Sequence, residues 1–390
     1  MKKIAINPTR LQFCCNILGI DVTKLYNDIQ ISQSTINDAM AEKAAFSVRQ
    51  LEMLAAFFNR SLLFFLNPNP VNEELVYSPQ FRTIHNQKPT HSKKINALIE
   101  RVELHRKVYL NLLKDLNMPI IQNLGITVNS TKPFEQVREW LGIRDNLSFN
   151  GLRKLVEGKG IMVFVSNGFA GKWQIEKSSP VRGFSLYYKT LPIIVIKKQT
   201  SEGAQAFTLM HELAHLLLHK ESVLDEDEDF YNYNGKEKEA NEFASNVLIP
   251  QNAINKINLE KLQNLDIEEH DSYLKNFKDL WCVSSDAILY RLFRDQKITK
   301  DHYQAYRALK KQQQIQREIE EENQKKLGTK RQIPRVYRHR EPINIFGKPY
   351  VATVLDALQN QHITLSKAST HLDNLKIRSL HKLEAEFVYS

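Results

Sequence analysis

An α+β architecture, a small sheet with packed helices and further helical modules at both ends, is what this 390-residue sequence predicts. Three observations carry that expectation. The short apolar runs in LVEGKGIMVFVS, RGFSLYY and PIIVIKK read as three strands. Segments with apolar residues at helical spacing stand on both sides of them. A hydrophobic content of 42% supports real cores, and the length suits two or three domains.

The elements follow in chain order. Residues 8–66 read as several short helices separated by polar turns, which matches a helix-turn-helix bundle. Within VTKLYNDIQISQSTINDAM, Leu25, Ile31 and Ile36 would pack. Ser32, Gln33, Ser34, Thr35 and Asn37 would lie on or near a recognition helix. No Lys or Arg occurs between residues 25 and 42. Duplex binding draws on basic groups for its phosphate contacts. The bundle therefore reads either as a DNA-contacting module or as a degenerate one used for protein contacts. Pro68, Pro70 and Pro79 mark a linker, and residues 91–117 give a long packing helix. Helices near 133–142 and 149–157 lead into the three strands.

After the strands comes QAFTLMHELAHLLLH, which contains His211-Glu212-Leu213-Ala214-His215 and so fits H-E-x-x-H. Positions four apart share one face of a helix. His211 and His215 can therefore aim imidazole nitrogens at one metal ion, with the Glu212 carboxylate beside them to take a proton from water. The bland alternative is two solvated histidines on an ordinary helix. Phe207, Leu209, Leu213, Ala214, Leu216, Leu217 and Leu218 oppose it, since they predict a buried helix on which polar groups need partners. His219 continues the row, but it stands roughly 12 Å from His211 along a straight helix, too far to share an ion. It reads as a helix-end residue or one that supports a ligand.

A catalytic zinc usually has three protein ligands, so a third is expected from elsewhere. KEKEANEFASNVLIP, residues 236–250, reads as a second amphipathic helix with Ala240, Phe243, Ala244, Val247 and Leu248 as its apolar stripe. Glu237 falls on the buried side, while Glu239 and Glu242 fall nearer the solvated side. Glu237 is the expected third ligand and Glu239 the fallback. Small residues at 240 and 244 would let the two helices approach closely. Asn241, one turn after Glu237, reads either as a surface amide or as a group that orients a ligand.

The order FTLMHELAHLLLH, an acidic loop, then E-x-x-A-N-x-F-A-x-x-x-L-I-P resembles the ImmA/IrrE family of gluzincin-like metallopeptidases. Three strands before the motif helix suit the resemblance, which covers roughly residues 135–310. It implies metal binding by His211, His215 and Glu237, and Glu212 as the catalytic acid and base. Longer members carry an N-terminal module like SVRQLEMLAAFFNRSLLFFLNPNP ahead of a Phe-Arg pair, here Phe81-Arg82. Members typically cleave a partner helix-turn-helix repressor. The expected function is thus a Zn²⁺-dependent endopeptidase that regulates transcription. The competing expectation is a DNA-binding or toxin–antitoxin regulator with a structural or sensory metal.

The segment after Pro250 returns to helices. VSSDAILYRL has a helix-turn-helix look, with Ser284 or Ser285 able to cap its second helix, and a structural helix pair reads equally well. The expected divisions are a helical module at 1–70, a linker and long helix at 71–130 and a peptidase domain at 131–310. A polar and basic linker at 311–340 and a helical module at 341–390 follow. The formal net charge is +10 and uneven. KKLGTKRQIPRVYRHR, residues 325–340, holds seven Lys or Arg and no acid, whereas ESVLDEDED, residues 221–229, reads as a solvated acidic loop. Three cysteines, two of them adjacent, give no disulfide framework. There is no signal-peptide apolar region and no long apolar run, so a cytoplasmic protein with no membrane contact is expected.

Overall fold

The computed structural model describes residues 3–17, 20–58, 60–71, 80, 93–128, 133–144, 148–167, 171–176, 178–199, 201–226, 235–326 and 339–388. Pro79, Phe81-Arg82 and most of the basic stretch 325–340 lie outside them. The chain divides into two compact units, Met1–Arg101 and Val102–Ser390, with the boundary inside the helix Lys93–Asp115. Among the described residues no helix is long and apolar enough to cross a membrane. Cys14, Cys15 and Cys282 are buried and free.

The first unit is built of short helices because polar caps interrupt its apolar runs. Ser32 caps Gln33–Met40 by accepting from the Thr35 amide, and Ser47 with Gln50 forms a reciprocal capping box on Val48–Phe57. Leu11, Leu25, Ile36, Phe46, Leu54 and Phe65 are buried together with Ile31. The Arg10 guanidinium is buried too, donating to the carbonyls of Phe64 and Asn69, so the proline-containing segment is fastened to the first helix.

In the second unit a four-stranded mixed sheet has the order β1-β3-β2-β4. Its strands are β1 (Met162–Val165), β2 (Val181–Leu186), β3 (Ile193–Ile196) and β4 (Val223–Glu226). β1 pairs parallel with β3; β2 pairs antiparallel with both β3 and β4. The strands β1 and β3 are buried on both faces, which is why they read as unbroken apolar runs. The expected α+β class holds, with one correction. Residues Val223–Glu226 of the acidic run are a strand, not a solvated loop. Leu224 pairs with Phe184 and Asp225 with Gly183, so sheet pairing and burial overrule the local charge pattern.

The motif helix, Glu202–Ala214, lies against β2 and β3. Ser201 caps it by accepting from the Ala204 amide, and Glu202 in its first turn suits the helix dipole. Gly203 is required by a close approach: a Cβ there would stand 2.3 Å from the Val283 carbonyl carbon. The second helix, Gly235–Leu248, packs along the motif helix, with Ala240, Phe243, Ala244 and Val247 fully buried. Residues Glu341–Phe346 lie on β1, where the buried Arg153 donates to the carbonyls of Asn344 and Ile345.

Candidate metal centre

Two helices and one strand bring the polar side chains together. The motif helix supplies His211 and Glu212, and His215 follows directly. There the backbone widens into a π-helical turn, His215–His219, closed by Lys220 in the left-handed region. Such turns are rare and recur at functional sites. The second helix supplies Glu237 and Asn241, and β4 supplies Asp225.

Nε2 of His211 and Nε2 of His215 face each other at 3.1 Å. An oxygen of Glu237 lies 3.3 Å from the first and 3.7 Å from the second. The corresponding Asp225 distances are 3.3 and 3.5 Å. One donor atom from each of these four residues lies within 4.8 Å of the others. His211, His215 and Asp225 are fully buried, and Glu237 is the partly open member.

The residues around the ring nitrogens fix their roles. Asn241 Oδ1 stands 2.9 Å from His211 Nδ1, so with the amide oxygen accepting, Nδ1 carries a proton and Nε2 offers its lone pair to the centre. His215 Nδ1 is 2.9 Å from His219 Nδ1, and His219 Nε2 is 3.1 Å from Glu239. Glu239 therefore sits at the outer end of a His215-His219-Glu239 chain, away from the four converging donors, with its side chain 63% exposed. Burial outweighs the pull of Glu239 and holds His219 below the ordinary histidine range, which favours a neutral ring that accepts at Nδ1.

Glu212 is not one of the four converging donors. Its carboxylate is buried against the sheet, where a Cβ on Gly183 would lie 2.6 Å from Oε1. Neither oxygen has a hydrogen-bond partner among the described residues. Burial first, and then the like charge of Asp225, push its pKa well above the usual carboxylate range.

These donors fit a cation. Both oxygens of Asp225 and Oε2 of Glu237 are buried and lack hydrogen-bond partners among the described residues, a costly state for carboxylates. Burial works against charge on His211, yet Asp225 and then Glu237 overcome it and lift the ring to about 9. The same imidazoles overcome burial in the opposite sense and hold Asp225 and Glu237 below the usual carboxylate range. Two carboxylates and two imidazoles thus focus negative potential on a single point.

Two residues of this site were outside the sequence reading. Asp225 was hidden in a run of acids, its one signal being the apolar pair Val223-Leu224 before it. Gly183 had no signal at all beyond being a glycine within a strand. Residues 161–293, which hold all four strands and both helices of the site, match the peptidase M78 family model, described as an IrrE N-terminal-like domain. Neither the curated proteins nor the solved structures contain a match to the chain.

Proposed function

We propose, from the premise that residues 161–293 belong to the ImmA/IrrE family of metallopeptidases, that this chain is a zinc-dependent endopeptidase acting on a helix-turn-helix repressor. The observation that supports it most is the convergence of His211, His215 and Glu237 beside a buried Glu212 that has no hydrogen-bond partner among the described residues. The first three would hold Zn²⁺, for which two imidazoles and one carboxylate are a usual catalytic set. When bound, the ion would supply Lewis acidity that activates water and polarises the scissile carbonyl.

The chain's own groups do the rest. Glu212 takes the proton of the attacking water and returns it to the leaving amine. Its burial keeps the carboxyl group away from bulk water. Asn241 fixes the His211 ring, and the His219-Glu239 pair does the same for His215. Gly183 leaves the space in which the Glu212 carboxylate stands.

The substrate class rests on the family. A repressor cut between its dimerising and DNA-holding parts loses its operator, so cleavage switches genes on. The exposed polar residues Gln33, Ser34 and Asn37 of the first unit carry no positive charge. Any duplex contact there would work with little phosphate attraction.

The test is Glu212→Gln, which keeps shape and both histidines but removes the proton acceptor. Metal content and fold should match wild type, while cleavage of a co-expressed repressor falls by roughly 10²–10⁴-fold or more. Equal derepression by the two proteins with no cut fragment would instead support a binding regulator with a structural metal.

A further inference from the structure

The proposed peptidase reading uses three protein ligands, and the site holds a fourth donor it does not use. Asp225 is fully buried, its side chain only 1% exposed, and neither of its oxygens has a hydrogen-bond partner among the described residues. It faces the same two Nε2 atoms that Glu237 faces, at nearly the same distances.

Those distances carry geometric information. Four donors around one ion, with bonds near 2.0–2.1 Å at the tetrahedral angle, stand about 3.3–3.4 Å apart. The pairs here are 3.1 Å for His211 to His215, 3.3 and 3.5 Å for Asp225, and 3.3 and 3.7 Å for Glu237. Asp225 therefore stands off both imidazole nitrogens by the separations that donors sharing one ion have, as Glu237 does. A closed four-ligand set is the mark of a structural zinc, whereas a hydrolytic one keeps a position open.

The strand that carries Asp225 lies at the edge of the sheet, with an irregular register beside it. Among the described residues β4 is an edge strand, hydrogen-bonded only to β2. Its register with β2 slips next to Asp225: Gly183 pairs with Asp225 and Val181 with Glu226, leaving Arg182 as the extra residue. Bulges of this kind re-aim side chains beside active sites.

We infer that Asp225 is a fourth protein ligand that closes the coordination of the ion, so that this arrangement is a latent form of the peptidase and cleavage requires Asp225 to leave. The inference rests on the metallopeptidase reading above and adds a regulatory element to it. A partner or substrate strand that displaced β4 from β2 would carry Asp225 away and open the fourth position.

The experiment uses full-length metal-free protein titrated with Co²⁺, read by affinity and by the visible absorption of the ion, for wild type, Asp225→Asn and Asp225→Ser. Circular dichroism checks the fold of each. Wild type should bind one Co²⁺ with an intense four-coordinate spectrum that added azide leaves unchanged. Both variants should bind on the order of tenfold or more weakly, as loss of a ligand demands. The spectrum of Asp225→Ser should shift with azide, and this variant should cut a repressor faster than wild type at saturating metal. Equal Co²⁺ affinity and identical spectra for wild type and both folded variants would overturn the assignment of Asp225 while leaving the peptidase reading standing. So would a wild-type spectrum that responds to azide as the Ser variant does. Wild type that takes up no Co²⁺, or His215→Ala that binds it as wild type does, would bring down the metal centre itself.

Discussion

Arg153 and Glu212 are buried ionisable side chains of the same unit, and their surroundings differ atom by atom. The Arg153 guanidinium donates from Nε to Glu157 at 2.8 Å, from Nη1 to the Asn344 carbonyl and from Nη2 to the carbonyls of Ile345 and Val163. Every arm of the fork has an acceptor. Around the histidines, by contrast, both oxygens of Glu212, both of Asp225 and one of Glu237 are buried without a hydrogen-bond partner among the described residues. Burial of a charge is tolerated when it is paired and hydrogen-bonded, and is costly otherwise. The first cluster is thus a fastener that ties Glu341–Phe346 to β1 and is complete as it stands. The second leaves buried carboxylate oxygens without hydrogen-bond donors among the described residues, which is what a bound cation would answer. That contrast distinguishes a structural polar cluster from a chemical one without reference to motif.

Breaking the fastener should give the largest effect on stability. Arg153→Met leaves Glu157 buried without its partner and should cost about 3–5 kcal/mol in denaturant unfolding. Replacing both residues with apolar ones should recover much of that loss. The sign with pH follows from Glu157, which burial pushes up to about 7 even with Arg153 beside it. Its folded pKa lies above its unfolded one, so the charge part of the variant's deficit should be small at pH 5, where the carboxyl is neutral, and larger at pH 8, on top of the pH-independent loss of the Arg153 hydrogen bonds to carbonyls. A deficit independent of pH would mean that packing, not charge, holds this segment. The metal content of whatever folds should be unchanged.

A smaller change probes the other cluster. Gly183→Ala sets a methyl group where the Glu212 carboxylate stands, 2.6 Å from Oε1 and 3.0 Å from the Val195 carbonyl. Stability should fall by about 1–3 kcal/mol. Cleavage should fall by on the order of 100-fold, because a proton acceptor moved by about 1 Å loses its alignment. Metal binding should hold, since Glu212 is not among the four converging donors. Full activity in a folded Ala variant would show that the position of Glu212 is not what the strand enforces.

The parts legible in the sequence were those with local periodicity. Apolar runs marked β1, β2 and β3, and four-residue spacing placed His211 and His215 on one face. The phase of the second helix put Glu237 on its buried side. These readings depend on residues within a turn or two of each other. Asp225 and Gly183 belong to a different class. They meet only because β4 pairs antiparallel with β2, across the whole length of β3 and the motif helix. An acidic run looks solvated until a sheet edge claims one of its residues. The π-helical turn at His215–His219 was equally silent, since Leu216, Leu217 and Leu218 suit an α-helix as well. Without it the pairing of His215 with His219 could only be guessed at from helical spacing.

The most direct measurement is the metal content of purified full-length protein and of three variants, by elemental analysis against protein concentration. Wild type should carry about one Zn²⁺ per chain, as two imidazoles converging with buried carboxylates demand. His215→Ala should carry essentially none. Glu237→Gln should bind on the order of tenfold or more weakly, and Glu239→Gln, at the exposed end of the His219 chain, should be close to wild type. Normal zinc in a folded His215→Ala protein would contradict the account, because the ion would then be held without the ring that faces both carboxylates.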